Sequence, residues 1–148
     1  MNQNYNDQQH ILILSNGYPS VYQTLSGSFW KDQAEALSDQ NCKVGLIATT
    51  PISLKDIKRK GVMNLRSKTK IENGVYTSVI RFPNVPFFNF LESFFSVFFG
   101  YYLFKKYIRK NGLPDVIHVH RYEAGLLAYK IKKSYKIPYV VTEHSSRF

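Results

Sequence analysis

The sequence predicts an α/β domain on a Rossmann-like, doubly wound and mostly parallel sheet, with an inserted β-hairpin and an aromatic-rich helix. Three observations carry that prediction. Apolar runs of strand length recur at residues 10–14, 43–48, 115–120 and 138–142. The intervals after the first and third runs have helical spacing, so each end of the chain reads β-α-β. In the middle, Asn73-Gly74 sits between two β-rich runs, and Asn-Gly is the strongest short hairpin signal.

The elements follow in order. Residues 10–14 (HILIL) open the domain as a buried parallel strand would, and Ser15, Asn16 and Gly17 end it. After a polar loop at 18–27, Ser28 is the expected N-cap of a helix over 29–39, with Phe29, Gln33, Ala36 and Leu37 as its inward stripe. Residues 43–48 form a second buried strand, and residues 50–60 read as a loop plus a short basic helix. Strands at 66–71 and 75–82 flank the hairpin turn, and Pro83 and Pro86 then break the second strand.

Residues 87–110 form the most unusual segment, a dense aromatic run followed by basic residues. Asn89, Glu92, Ser93 and Ser96 interrupt it, and its unbroken core at 97–104 falls far below the ~20 residues of a membrane span. Two accounts stand. It is a crossover helix packed on the sheet, or its aromatic end enters a bilayer while Lys105, Lys106, Arg109 and Lys110 meet anionic headgroups. Each such contact is worth about 1 kcal/mol. The two are compatible if one face packs and another is exposed.

Composition narrows the class. A chain of 148 residues with 44% hydrophobic content can bury a core, which excludes a disordered tail. One cysteine, Cys42, excludes an internal disulfide framework, fits a reducing compartment and reads as a small buried residue. Residues 1–9 are polar, without lysine or arginine, so a flexible N-terminus is expected there and no secretory leader. The net charge of +10, clustered at 55–70, 105–110 and 130–136, would suit nucleic acid, an anionic membrane or phosphorylated substrates. The chain lacks the patterns of a helix-turn-helix, an RNA-recognition motif or a zinc finger, so nucleic acid is not the expected partner. Solvated helix faces or a membrane surface remain.

The chemistry concentrates at the end of the chain. Parallel strands at 115–120 and 138–142 place their C-terminal ends on one rim, where open α/β sheets hold ligands. That geometry brings His120 and His144 to one place. His118 and His120 alternate and share a face; His118 reads as a core histidine, and His120 sits at a tip that can reach a cleft. His144, beside Glu143 and Ser145, could act as a general base or donate a hydrogen bond to a sugar. No cysteine pair or third spaced ligand supports a metal site, and no G-x-S-x-G elbow supports a hydrolase. Ser26-Gly27-Ser28 precedes a helix, where backbone N–H groups can approach a phosphate, but it is neither a G-x-G-x-x-G fingerprint nor a P-loop.

With these residues in view, the chain resembles the N-terminal domain of a GT-B-fold glycosyltransferase of the family 4 type. Three stretches carry the resemblance: residues 11–19 with 26–37, residues 114–120 with 124–128, and residues 137–145. The resemblance implies a domain over residues 10–148 that faces a cleft. Ser26, Gly27, Ser28 and Glu143 would approach the donor diphosphate and sugar. His144 would contact the transferred sugar and stabilise the transition state. Gly17, His120, Arg121, Tyr122 and Glu123 would line the acceptor side. It also implies retaining transfer from a nucleotide-sugar, as substrate and without a cofactor or metal, to a glycan or lipid-linked acceptor of the cell envelope. The family's C-terminal nucleotide-sugar-binding domain has no counterpart in these residues, so the chain is expected to be inactive alone. The expected location is cytoplasmic, peripheral on the inner membrane face. A basic membrane-surface module without chemistry is the rival reading. A stand-alone nucleotide-binding domain is a weaker rival, because the Gly27 loop is sparse.

Overall fold

A computed structural model describes residues 8–19, 25, 27–54, 57, 58, 67–84 and 89–143. Its elements are β1 (His10–Ser15), α1 (Ser28–Asp39), β2 (Lys43–Ser53), β3 (Lys68–Glu72), β4 (Val75–Asn84), α2 (Asn89–Asn111), β5 (Val116–His120), α3 (Gly125–Tyr135) and β6 (Tyr139–Thr142). A short 3-10 turn at Tyr122–Ala124 precedes α3. The strands form a six-stranded sheet in the order β3-β4-β2-β1-β5-β6. All neighbours pair in parallel except β3 and β4. The doubly wound α/β architecture is therefore the one the sequence predicts, with β4 of the hairpin serving as a full parallel member of the sheet.

The alternation of strand side chains builds two apolar layers. Ile11, Ile13, Val44, Leu46, Val75 and Val79 face α1, where Trp30, Ala34 and Leu37 meet them. Leu12, Leu14, Ile47, Ile80, Ile117 and Val119 face the opposite way, against Leu103, Phe104 and Tyr107 of α2 and Leu127, Ala128 and Ile131 of α3. Each large apolar side chain so buried contributes roughly 1.5–3 kcal/mol. Cys42 is half-buried at the edge of the first layer.

Several local expectations change. The inward face of α1 is Trp30, Ala34 and Leu37, while Phe29 and Ala36 are exposed. Ser28 is not the cap: Gly27 holds that position with φ 77°, and Ser28 Oγ donates to the Leu25 carbonyl at 3.2 Å. A residue already in helical conformation cannot supply the non-helical backbone a cap needs. β2 runs on to Ser53, so residues 50–53 are strand rather than loop. Residues 55, 56, 59 and 60 of the expected loop and basic helix lie outside the described residues. Pro83 lies within β4, beyond the point where β3 stops pairing at Val79, and an open edge tolerates a missing N–H. The Asn73-Gly74 turn forms as expected, with φ 47° and 77°.

The aromatic segment is a crossover helix running against the strand direction. Its N-terminal half meets the carboxyl ends of the strands, where Ser96 touches Thr49. Its C-terminal half reaches the start of β1, where Tyr107 touches His10. Among the described residues no helix is long and apolar enough to cross a membrane.

Candidate functional site

The carboxyl rim of the sheet gathers most of the residues singled out in the sequence. Gly17, in the turn after β1, and Gly27, before α1, are in direct contact. A Cβ on Gly27 would lie 2.6 Å from the Gly17 carbonyl oxygen and 2.9 Å from the Tyr18 nitrogen. Only glycine combines that approach with a left-handed backbone. The contact seats the N-terminus of α1 on the rim. The Tyr18 hydroxyl donates to Glu72 at 2.9 Å, anchoring the turn to β3. Burial first, then the Glu72 carboxylate, pushes the Tyr18 phenol upward, while the Lys70 hydrogen bond holds Glu72 below the usual carboxylate range. Ser26 and His144 lie outside the described residues.

The histidines form a stack on the α1 side of β5. Their rings are 4.3 Å apart, so they do share a face. His118 Nε2 meets Thr142 Oγ1 of β6 at 2.8 Å, which makes it a half-buried, hydrogen-bonded histidine. His120 is at the last position of its strand but is 0% exposed. Trp30 stacks on it at 4.5 Å and Phe29 meets it edge-on at 6.5 Å. His120 is thus the floor beneath α1 rather than a side chain opening on a cleft. The exposed Phe29 has its role here.

After His120 the backbone is strained. Arg121 adopts φ 71° and ψ 142°, a region L residues rarely enter and one that costs of order 1–3 kcal/mol. Hydrogen bonds from both sides hold it. Its N–H donates to the Thr142 carbonyl at 3.0 Å, and the Tyr122 N–H donates to Glu143 Oε2 at 3.1 Å. An exposed ion pair at 2.8 Å joins Arg121 to Glu123. Glu143 therefore ties the tip of β6 to the turn after β5, one residue before His144.

Beside this turn lies a cleft of about 640 Å³. Asn16, Glu92, Ser96 and Glu123 supply its polar wall, and Tyr122, Leu126, Tyr129 and Val141 its apolar one. Behind the polar wall, Thr49 Oγ1 and Ser96 Oγ are 2.7 Å apart, and both lie within 3.4 Å of Asn16 Oδ1. Sequence reasoning reached Tyr122 and Glu123 but missed Asn16, Thr49 and Ser96, treating Ser96 only as an interruption of an aromatic run. Lys105, Lys106, Arg109 and Lys110 are exposed on the C-terminal half of α2, away from this rim. Lys105 Nζ donates to the Tyr135 hydroxyl at 2.8 Å, which raises its pKa. Among the described residues no group of three acidic, histidine or cysteine side chains could hold a metal ion.

The family model of Glycosyltransferase Family 4 matches residues 26–148, from the Gly27 loop across the whole rim. The chain belongs to glycosyltransferase family 4. The family 4 domain also matches sucrose-phosphate synthase from Thermosynechococcus elongatus, with a TM-score of 0.56 at 14% identity. That match covers 93% of this chain and 33% of the synthase, so the chain spans about a third of that enzyme's length. The fold is that of part of a GT-B glycosyltransferase. None of the curated proteins matches the family 4 domain.

Proposed function

We propose that the chain is the acceptor-side, N-terminal half of a retaining glycosyltransferase. The enzyme moves a sugar from a nucleotide-sugar to a cell-envelope polysaccharide or a lipid-linked acceptor. The observation that carries the reading is the contact of Gly27 with Gly17. It seats the backbone N–H groups of a helix N-terminus on the rim of a family 4 domain, where the dipole favours an anion.

In this reading the Gly27 backbone, flanked by Ser26 and Ser28, approaches the donor diphosphate from the N-terminal side. Glu143 is held by the Tyr122 N–H, and His144, the next residue in the chain, contacts the transferred sugar. There His144 donates a hydrogen bond to groups on which charge develops in the transition state. The cleft takes the acceptor: Asn16, Glu92 and Ser96 offer hydrogen bonds, and Tyr122 and Tyr129 offer flat faces for sugar rings. His120 supports the rim from below. A C-terminal nucleotide-sugar-binding domain supplies the rest of the donor site.

The test is transfer of radiolabelled sugar from a panel of nucleotide-sugars to cell-envelope extract. The 148-residue chain alone is expected to transfer none. A protein carrying both halves is expected to transfer, and to lose roughly 100- to 1,000-fold on His144→Ala with an unchanged melting temperature. Transfer by the chain alone, or a two-domain protein indifferent to His144→Ala, would overturn the reading.

A further inference from the structure

Among the described residues the outward face of α2 is open to solvent. Phe90, Phe94, Phe98 and Tyr102 repeat every four residues along it and are 54–79% exposed. The sheet-facing residues Leu103, Phe104 and Tyr107 of the same helix are fully buried, so the helix is held to the sheet by its opposite face. Phe94 and Phe98 stack on each other at 6.3 Å, making a continuous aromatic strip. At helical spacing Lys105, Lys106 and Arg109 continue the same arc and are exposed. On the neighbouring helix, Lys130 lies 4.6 Å from the Tyr101 ring, extending the cationic surface onto α3. From Phe90 to Arg109 the strip is roughly 28 Å long at ~1.5 Å per residue.

We infer that this face docks on an anionic lipid surface, its aromatic end entering the headgroup boundary and its basic end meeting the lipid charges. Contiguous apolar surface of this size on a helix otherwise committed to a core marks an interaction site. The charges select the occupant. A second copy in parallel would set Lys105, Lys106 and Arg109 against their own kind, and an antiparallel copy would desolvate them against phenyl rings. An anionic bilayer satisfies both halves at once. Helices with aromatic and basic surface lie in the interface plane in this way. The cleft wall of Glu92 and Ser96 lies on the same N-terminal half of α2, on the side turned toward the strand ends. Lipid docking does not require sugar transfer, so the two readings fail separately.

The test is co-sedimentation with vesicles of phosphatidylcholine, alone or with phosphatidylglycerol. The chain is expected to bind the anionic vesicles more tightly. The Phe90→Ser, Phe94→Ser, Phe98→Ser variant is expected to lose at least about tenfold in partitioning. The Lys105→Gln, Lys106→Gln, Arg109→Gln variant is expected to lose roughly a hundredfold on anionic vesicles, at roughly fivefold per charge, with little change on neutral ones. A control of equal charge, Lys31→Gln, Lys68→Gln, Lys70→Gln, is expected to change binding less than about threefold, because charges away from the docked face are screened. Circular dichroism checks that each variant is folded, and the charge variants remain decisive if the phenylalanine variant is not. Absence of binding to anionic vesicles would overturn the inference. So would an equal loss in the control, or a dimer that the serine variant dissolves while vesicles bind nothing; that last outcome would assign the face to a second copy.

Discussion

Gly27→Ala isolates the contact on which the rim depends. The new methyl would need a left-handed backbone, which costs an L residue roughly 1–2 kcal/mol. It would also sit 2.6 Å from the Gly17 carbonyl oxygen and 2.7 Å from its carbon, about 0.8 Å inside ordinary contact for the nearer. Both neighbours are backbone, so no rotamer change relieves the overlap, and overpacking adds roughly 1–3 kcal/mol. Alanine's narrower unfolded ensemble returns about 0.4–1 kcal/mol. The expected net loss is about 1–4.5 kcal/mol, centred on ~3 kcal/mol. Two other glycines provide controls. Gly112 has φ 84° with nothing within 4 Å of its Cβ position, so Gly112→Ala bears the backbone term alone, about 1 kcal/mol or less. Gly74, at φ 77°, would meet only the Ser38 hydroxyl, which can rotate away, so Gly74→Ala should fall near Gly112→Ala. Urea unfolding followed by circular dichroism orders the three. The fluorescence of Trp30, the chain's single tryptophan, reports whether the stack on His120 is displaced. If Gly27→Ala and Gly112→Ala cost the same within about 0.5 kcal/mol, the Gly17–Gly27 approach is not rigid and the argument for a preformed rim fails.

Two more outcomes follow from buried polar groups. His10 Nδ1 faces the Leu113 carbonyl at 2.9 Å and its Nε2 faces the Tyr107 hydroxyl at 2.6 Å, an arrangement that suits a neutral ring protonated on Nδ1. Burial first, then Lys43, lowers its pKa below 6.5. A depressed pKa means the unfolded chain binds the proton more readily. His10's contribution to stability is therefore complete above pH 6.5 and is lost as pH falls from there through the folded value. Nitrogen-15 NMR should find the Nδ1–H tautomer and a titration below 6.5; a titration above it would refute the assignment. For the Asn16–Thr49–Ser96 network, Thr49→Val and Ser96→Ala should each cost about 1–2 kcal/mol, with a coupling of about 1 kcal/mol in a double-mutant cycle. A coupling near zero would mean that the 2.7 Å contact contributes nothing to stability.

What the sequence by itself determined is the set of features that act over a few residues. Strand runs, the Asn73-Gly74 turn and the α2 helix come from side-chain period and backbone preference, and all are present. The pairing of β5 with β6, which joins His120 to Thr142 in register, was legible because a β-α-β unit has one accessible hand. The tertiary structure decided how each helix is turned and which distant residues meet. The sequence marked Phe29 as inward because it is apolar. The seat of Gly27 on Gly17 sets the entry of α1, and that rotation buries Ala34 and lays Phe29 and Trp30 over His120. The same holds for Asn16, Thr49 and Ser96, which meet from positions up to 80 residues apart. No local pattern marks them, because a hydrogen bond between remote side chains depends on the packing of α2 against the sheet. The aromatic helix shows both limits: composition announced a helix with too much apolar surface, and only its docking on the sheet decided which rings remain exposed.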